Sequence, residues 1–340
     1  MKYDPALDGI RALSVAAVVV HHAYYSLMPG GWVGVDVFFV LSGFLITSIL
    51  RTEQASMGNI DLARFYLRRS LRLMPPLISL IAAALFISLF QTNRLHEVAV
   101  ASFYAITYTM NWNKAFGWGY DYGLLHTWSL SVEEQFYIIW PAFLIISPRS
   151  RQLPIIFSII AIVIAWRTYL VLSGAGSART YTGFDVHADG LLIGSVLAFV
   201  LEGKSQRLNN SIFLWAGPII LAGTLLFVSG SSTWVRTIGF TIISLSAAGL
   251  IILARREGNL RAILMCRPLV FIGKISYGIY LWHYLLIIVA KPHISPQLMW
   301  IPALLSVAVA TVSYYLMERP LSRMKEAWPA FSERRVKPLD

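Results

Sequence analysis

Two kinds of residue are scarce in this chain: only 13% of its 340 residues are charged, and only one is a cysteine. Ordinary soluble domains carry roughly 25% charged residues, so a conventional water-facing surface is excluded. The lone Cys266 excludes an internal disulfide and a cysteine-based metal cluster, and no metal site or permanently bound cofactor is expected. Internal repeats and low-complexity stretches are also lacking, which removes solenoids and the repeat symmetry common in transporters. The first apolar block, 12–20, has Asp4 and Asp8 in place of a basic flank and no small-x-small cleavage site after it, so it reads as a retained span rather than a signal peptide.

What is present is apolar. Hydrophobic residues make up 57% of the chain and mean hydropathy is +0.63. They come in blocks such as "LPIIFSIIAIVIAWRTYLVL", close to the ~20 residues that cross ~30 Å of hydrocarbon. The expected class is an all-α polytopic membrane bundle with ten spans, at 12–28, 33–50, 75–91, 133–147, 153–173, 187–202, 212–229, 235–254, 268–290 and 298–317. Net charge is +11, but in a membrane protein the placement of Lys and Arg matters more than a nucleic-acid partner, and none is expected. With a cytosolic N-terminus, 21 of the 28 basic residues fall on inside segments, five outside and two within spans. Counting 98–112 as a crossing would invert that distribution, so this stretch is read as re-entrant or interfacial and both termini as cytosolic. One transmembrane domain over 1–320 is then followed by a basic cytosolic tail, 321–340.

Ionisable side chains inside a bilayer are costly and therefore candidates for function. In "LDGIRALSVAAVVVHH", Arg11 starts the first span and His22 lies eleven residues on, about 16.5 Å along the axis. Arg11 by itself is also ordinary positive-inside anchoring. His22 suits proton transfer near neutrality, and its neighbour His21 points about 100° away on the same helix. Asp36, after the Pro29–Gly30–Gly31 turn, comes to nearly the same depth and could orient His22, or could simply hold two helices together. Arg68, Arg69 and Arg72 precede the third span, where guanidinium forks suit phosphate oxygens or anionic lipid headgroups. Glu133 and Glu134, behind His126 and Trp128, add acid groups to the outer half, unless they are merely solvated. Phosphate-binding arginines on the inner face and a deeper histidine match the reach of a CoA thioester.

At these residues the sequence resembles acyltransferase family 3, bacterial integral membrane acyltransferases that modify hydroxyl-bearing surface molecules. The likeness is carried by "LDGIRAL…HH", "GGWVGVDVFFVLSGFLIT", "FYLRRSLRLMPP", "HTWSLSVEEQFYIIWP", "ISYGIYLWHYLL" and "YYLMERP". It implies a ten-span domain in the bacterial cytoplasmic (inner) membrane, with Arg11 and His22 as the family's Arg and His pair, His22 catalytic, and Arg69 and Arg72 contacting acyl-CoA, acetyl-CoA being the expected donor. One departure is His187, where the pattern expects an arginine.

The resulting expectation is O-acyl transfer to a carbohydrate or glycolipid hydroxyl on the outer side. His22, Asp36 and Glu134 are the expected catalytic set, and Arg11, Arg68, Arg69 and Arg72 the donor-binding set. Glu133, His126, Trp128, His187 and His283 are expected on the acceptor side, with Trp112, Trp118, Tyr120 and Tyr122 stacking on sugar or anchoring at the interface. No further domain follows the last span in this sequence, so the spans themselves are expected to capture the acceptor. An acyl-histidine relay is the catalytic alternative; a transporter or flippase, and an inactive scaffold, are the non-enzymatic ones.

Overall fold

A computed structural model describes residues 3–91, 93–202, 212–230 and 232–321. Among these the regular elements are all helical. The predicted tail, 321–340, lies outside the described residues apart from Leu321.

Asp4 starts α1 (Pro5–Ala23) by accepting from the Ala6 amide at 3.2 Å, with Pro5 in the first turn where its missing N–H costs nothing. α2 (Val33–Met57) ends at Gly58, whose φ of 76° suits glycine. α3 (Leu62–Ser88) is capped by Asp61 and runs through Pro75 and Pro76 without ending. The third span therefore begins well before position 75, and Arg68, Arg69 and Arg72 lie on the helix itself rather than ahead of it. α4 (Leu95–Ile106) and α5 (Met110–Phe116) are separated by a break in which Tyr108 takes a positive φ of 54°. The 98–112 stretch is accordingly two short helices, not one continuous span.

The chain continues through α6 (Trp128–Ile146), α7 (Gln152–Leu172), the short α8 (Ser177–Thr182) and α9 (Phe184–His187), then α10 (Asp189–Leu201), α11 (Ala216–Phe227) and α12 (Phe240–Ala254). It closes with α13 (Asn259–Leu264), α14 (Arg267–Lys274), α15 (Ser276–Ala290) and α16 (Trp300–Ser313). Six helical segments are long and apolar enough to cross a membrane, and α14 with α15, bent by 68°, forms a seventh if taken as one broken span. The other three predicted spans fall on α6, α10 and α11, which are not among those six. α7 exposes Phe157, Ile162 and Leu172 while burying Arg167 completely, the reverse of a soluble helix. This pattern fits a lipid solvent outside and a polar interior.

Packing sets which ends share a face. Asp4 pairs with Arg261 at 2.9 Å, while Arg51 meets both Glu202 and Gln152. The start of α1 is thus joined to α13, and the end of α2 to the start of α7 and the end of α10. At the other ends, the Tyr24 hydroxyl donates to the Gln297 carbonyl, and the Gly30 amide to that of Leu225. Near the centre α2 and α10 cross at glycines: a Cβ on Gly43 would fall 1.9 Å from the Leu191 carbonyl oxygen, and one on Gly194 2.1 Å from that of Val40. No larger residue fits there without separating the helices.

Candidate active site

Two cavities lie side by side in the bundle. The first, of about 120 Å³, is lined by Arg11 from α1, Arg69 and Arg72 from α3, Ser42 from α2, Glu133 from α6 and Tyr277 from α15, among others. Arg69 donates Nε–H to Glu134 Oε1 at 2.7 Å and its guanidinium lies 3.2 Å over the Tyr137 ring. Arg11 pairs with Asp8 at 3.1 Å, and Ser42 donates to Glu133 at 2.8 Å. Arg72 makes no hydrogen bond or ion pair to any described residue and presents its side chain to this cavity. Three guanidiniums facing one space form a site for an anion such as phosphate.

The sequence therefore brings Arg11, Arg69 and Arg72 together as expected and adds Glu133, which was expected on the acceptor side. Arg68 differs: it is not on the cavity wall, because one position of α3 rotates it away from Arg69. Glu134, expected to be catalytic, is instead the carboxylate that neutralises Arg69.

The second cavity, about 190 Å³, contains His21 and His22 in the last turn of α1, together with Lys114, His126, Trp128, Tyr181 and Tyr284. Both α1 histidines border it, so the 100° separation does not turn His21 out as expected. His22 Nδ1 lies 2.9 Å from the Val18 carbonyl oxygen and 3.3 Å from His283 Nε2. His283 Nδ1 lies 2.7 Å from the Tyr280 carbonyl oxygen. A carbonyl can only accept, so each histidine is assigned its proton on Nδ1. His283 then offers a lone pair on Nε2 to the His22 Nδ1–H, and His22 keeps its Nε2 lone pair for another partner. The orienting group of His22 is thus a second histidine and a carbonyl, not a carboxylate.

Asp36 is elsewhere. It receives His187 Nε2 at 2.7 Å, while His187 Nδ1 contacts the Tyr181 carbonyl at 2.5 Å. Both ring nitrogens of His187 are used, the ring stacks on Phe240 at 4.6 Å, and the residue is fully buried. These facts replace two expectations: Asp36 does not orient His22, and His187 is a structural partner rather than an acceptor contact. Nearby, Arg167 and Asp189 form a second fully buried pair at 2.9 Å, with Thr241 bonded to both. The sequence had left these two residues without a role.

His283 is also fully buried and touches His22, so it supports that residue from behind instead of meeting an acceptor. His126 lies in the cavity wall against Tyr284 and Trp128 beside Tyr181, at ring separations of 5.1 and 4.7 Å. Trp112 and Trp118 instead pack around Phe116, and Tyr122 borders a separate groove with Arg94 and Lys291. Tyr25, Trp32, Tyr181 and Tyr284 supply the aromatic surface near His22, and no spacing signal marked them.

Val35 and Tyr280 belong to both cavities. The Tyr280 hydroxyl lies 2.6 Å from Ser129 Oγ and donates to the His126 carbonyl at 2.8 Å, which fixes the ring between them. The chamber lined by the three arginines and the chamber lined by His21 and His22 thus have Val35 and Tyr280 in common.

Comparison with known proteins bears on this arrangement. The family model of acyltransferase family 3, an acyltransferase domain, matches residues 4–318. The chain is 35% identical over 355 residues to peptidoglycan O-acetyltransferase OatA of Listeria monocytogenes, an alignment covering 95% of this chain and 56% of that protein. It is 33% identical to the putative peptidoglycan O-acetyltransferase YrhL of Bacillus subtilis, covering 98% of this chain and 57% of that one. O-acetyltransferase OatA of Staphylococcus aureus is 32% identical, with 97% and 59% covered. The chain thus spans somewhat more than half the length of these relatives, and no solved structure matches it significantly. By the near-complete family match and the apolar helices, the chain belongs to acyltransferase family 3, whose acyltransferase domain it matches over nearly its whole length, and is a multi-pass membrane protein.

Proposed function

We propose that this chain transfers an acetyl group from acetyl-CoA to a saccharide hydroxyl, with His22 as the base. The observation that carries the reading is the pair of adjoining cavities: Arg11, Arg69 and Arg72 in one, His22 in the other, with Tyr280 common to both. Acetyl as the group and a cell-wall glycan as the acceptor class are suggested by the names of the relatives. The arginines would hold the CoA phosphates while the pantetheine arm carries the thioester toward His22. His22 Nε2 takes the acceptor hydroxyl proton as the oxygen attacks the thioester carbonyl. The C–S bond then breaks, and the proton passes to the departing thiolate. A direct transfer is favoured over an acyl-histidine because both substrates can reach the shared wall.

In this reading the chain has ten spans in the bacterial cytoplasmic membrane, with α1 beginning at the cytosol and 321–340 a cytosolic tail. The paired loop ends support the alternation, since the segments expected on one side contact one another.

The test is the purified protein in proteoliposomes given labelled acetyl-CoA on the arginine side and glycan oligomers on the other. Release of CoA coupled to ester formation, absent in His22→Ala, supports the proposal. Acetyl-CoA that is neither bound nor consumed while an acetyl ester forms from another donor would overturn the donor assignment. Acceptor translocation unchanged in His22→Ala would overturn the enzymatic one.

A further inference from the structure

A third cavity, about 340 Å³, adjoins the His22 chamber and includes Tyr25, Ser177 and Ser229 in its wall. It shares His21, Trp32, Lys114 and Tyr181 with that chamber. Lys114 therefore stands where an entering molecule passes from the wider space to the base. No carboxylate side chain lines either cavity. Among the described residues Lys114 forms no hydrogen bond or ion pair; its ammonium lies 5.6 Å from the Trp128 ring centroid.

A partly buried ammonium without a bonded counter-ion is unfavourable, and such a group is normally paired or hydrogen-bonded. Asp121 acts on it only from a distance, and the aromatic rings and histidines of the cavity walls do not neutralise it. The position is therefore suited to an anionic partner brought by something that enters. The flanking surface restricts the rest of the molecule: Tyr25, Trp32 and Tyr181 offer flat apolar faces, and Ser177 offers a hydroxyl, a combination that suits sugar rings.

We infer that Lys114 anchors a carboxylate on the acceptor saccharide and so places a neighbouring hydroxyl at His22. This deepens the proposed transfer reaction and rests on that reading for the role of His22, but the anion site itself stands on the two cavities. Lys114 selects among acceptors by a charge on the sugar. A neutral glycan has nothing to offer the ammonium and leaves it unpaired in the complex. Lys114 shares a cavity wall with His22, which favours a saccharide carboxylate over a lipid phosphate as its partner.

The experiment measures equilibrium binding, independently of turnover, to the full chain in nanodiscs. The probes are a tetrasaccharide of alternating N-acetylglucosamine and N-acetylmuramic acid with free lactyl carboxylates, and the methyl ester of the same oligomer. The wild-type protein is expected to bind the carboxylate form at least about tenfold more tightly than the ester, the scale of one charge-assisted hydrogen bond. Lys114→Gln is expected to erase that preference and Lys114→Arg to retain it; retention in the arginine variant also shows that the fold survives change at this position. Equal binding of acid and ester by the wild type would overturn the inference, as would a preference that persists in Lys114→Gln. A preference present in zwitterionic nanodiscs but lost in phosphatidylglycerol ones would assign the ammonium to a lipid headgroup and likewise overturn it. Preferential binding without acetyl transfer by the same preparation would leave the anion site standing and remove the transferase reading instead.

Discussion

His22 Nδ1 lies 3.3 Å from His283 Nε2, so the histidine at the end of α1 is positioned by another histidine from α15. His22→Ala is expected to lower acetyl transfer by about 10²- to 10⁴-fold, the usual contribution of a positioned general base. His283→Ala should lower kcat by a smaller factor with little change in KM, because it loosens His22 without touching substrate. His283→Gln, whose amide oxygen can still accept from His22, should recover much of the loss. Steady-state kinetics with purified protein check all three, and a His283→Ala effect confined to KM would contradict the assignment.

The Asp36–His187 pair predicts the opposite signature. Removing either partner leaves a buried polar group unpaired and should cost about 3–5 kcal/mol of stability. The Asp36→Ala, His187→Ala double variant should lose less than the sum of the two single changes. Thermal unfolding in detergent is the readout. An Asp36→Ala protein as stable as wild type but inactive would return Asp36 to a catalytic role.

Arg72 and Arg68 lie one helical turn apart, but only Arg72 lines the cavity shared with Arg11 and Arg69. Arg72→Ala should weaken donor binding about 10- to 100-fold, consistent with the roughly 1.5–3 kcal/mol of a hydrogen bond to a charged group. Arg68→Ala should change it less than about twofold, as expected of a position away from the cavity. Arg69→Ala should weaken binding and also destabilise, since it strands Glu134. Titration with CoA, combined with melting curves, distinguishes the three.

Burial pushes the Lys114 ammonium down from its ordinary value of 10.5 to about 8, with Asp121 pulling weakly the other way. The titratable and aromatic groups around it are His21 and His22 of α1, His126 ahead of α6, Trp128 of α6, Tyr181 of α8 and Tyr284 of α15, with Asp121 farther off. Below pH 8 the ammonium persists, and affinity for a carboxylate-bearing oligomer should be level there as regards this group. Above pH 8 the group is neutral and that affinity should fall, whereas the ester is unaffected. Stability should move oppositely: between about 8 and 10.5 the unfolded chain binds the extra proton, so the Lys114 contribution to stability rises with pH. Lys114→Arg should flatten the binding trend, which titration of both oligomers from pH 6.5 to about 9.5 would check.

Hydropathy made most of the helices legible, because it depends on local composition. The clustering of Arg69 and Arg72 was also readable, since they are neighbours on one helix. Partnerships across the bundle were not. Asp36 was matched to His22 because a short hairpin joins their helices, yet α9 delivers His187 from 151 positions away. The Arg69–Glu134 pair was obscured in the same way: a third span begun at 75 puts the arginine outside the membrane, whereas α3 starts at Leu62 and carries it inward. The break between α14 and α15 had a faint signal in Gly273 and Lys274 interrupting an apolar run. The position of Lys114 had none, because it depends on two short helices whose separation rests on one positive φ at Tyr108.

The ring of Tyr280, held by Ser129 and the His126 carbonyl, also bears on the permeability of the bilayer. A transferase that worked through an open bore would short-circuit the ion gradient of its own cell with every turnover. The Tyr280 side chain, anchored at its hydroxyl, stands instead in the wall common to the two chambers. On the proposed reading only a two-carbon fragment needs to meet its acceptor beside that ring, so chemical traffic across the bundle is uncoupled from electrical leakage.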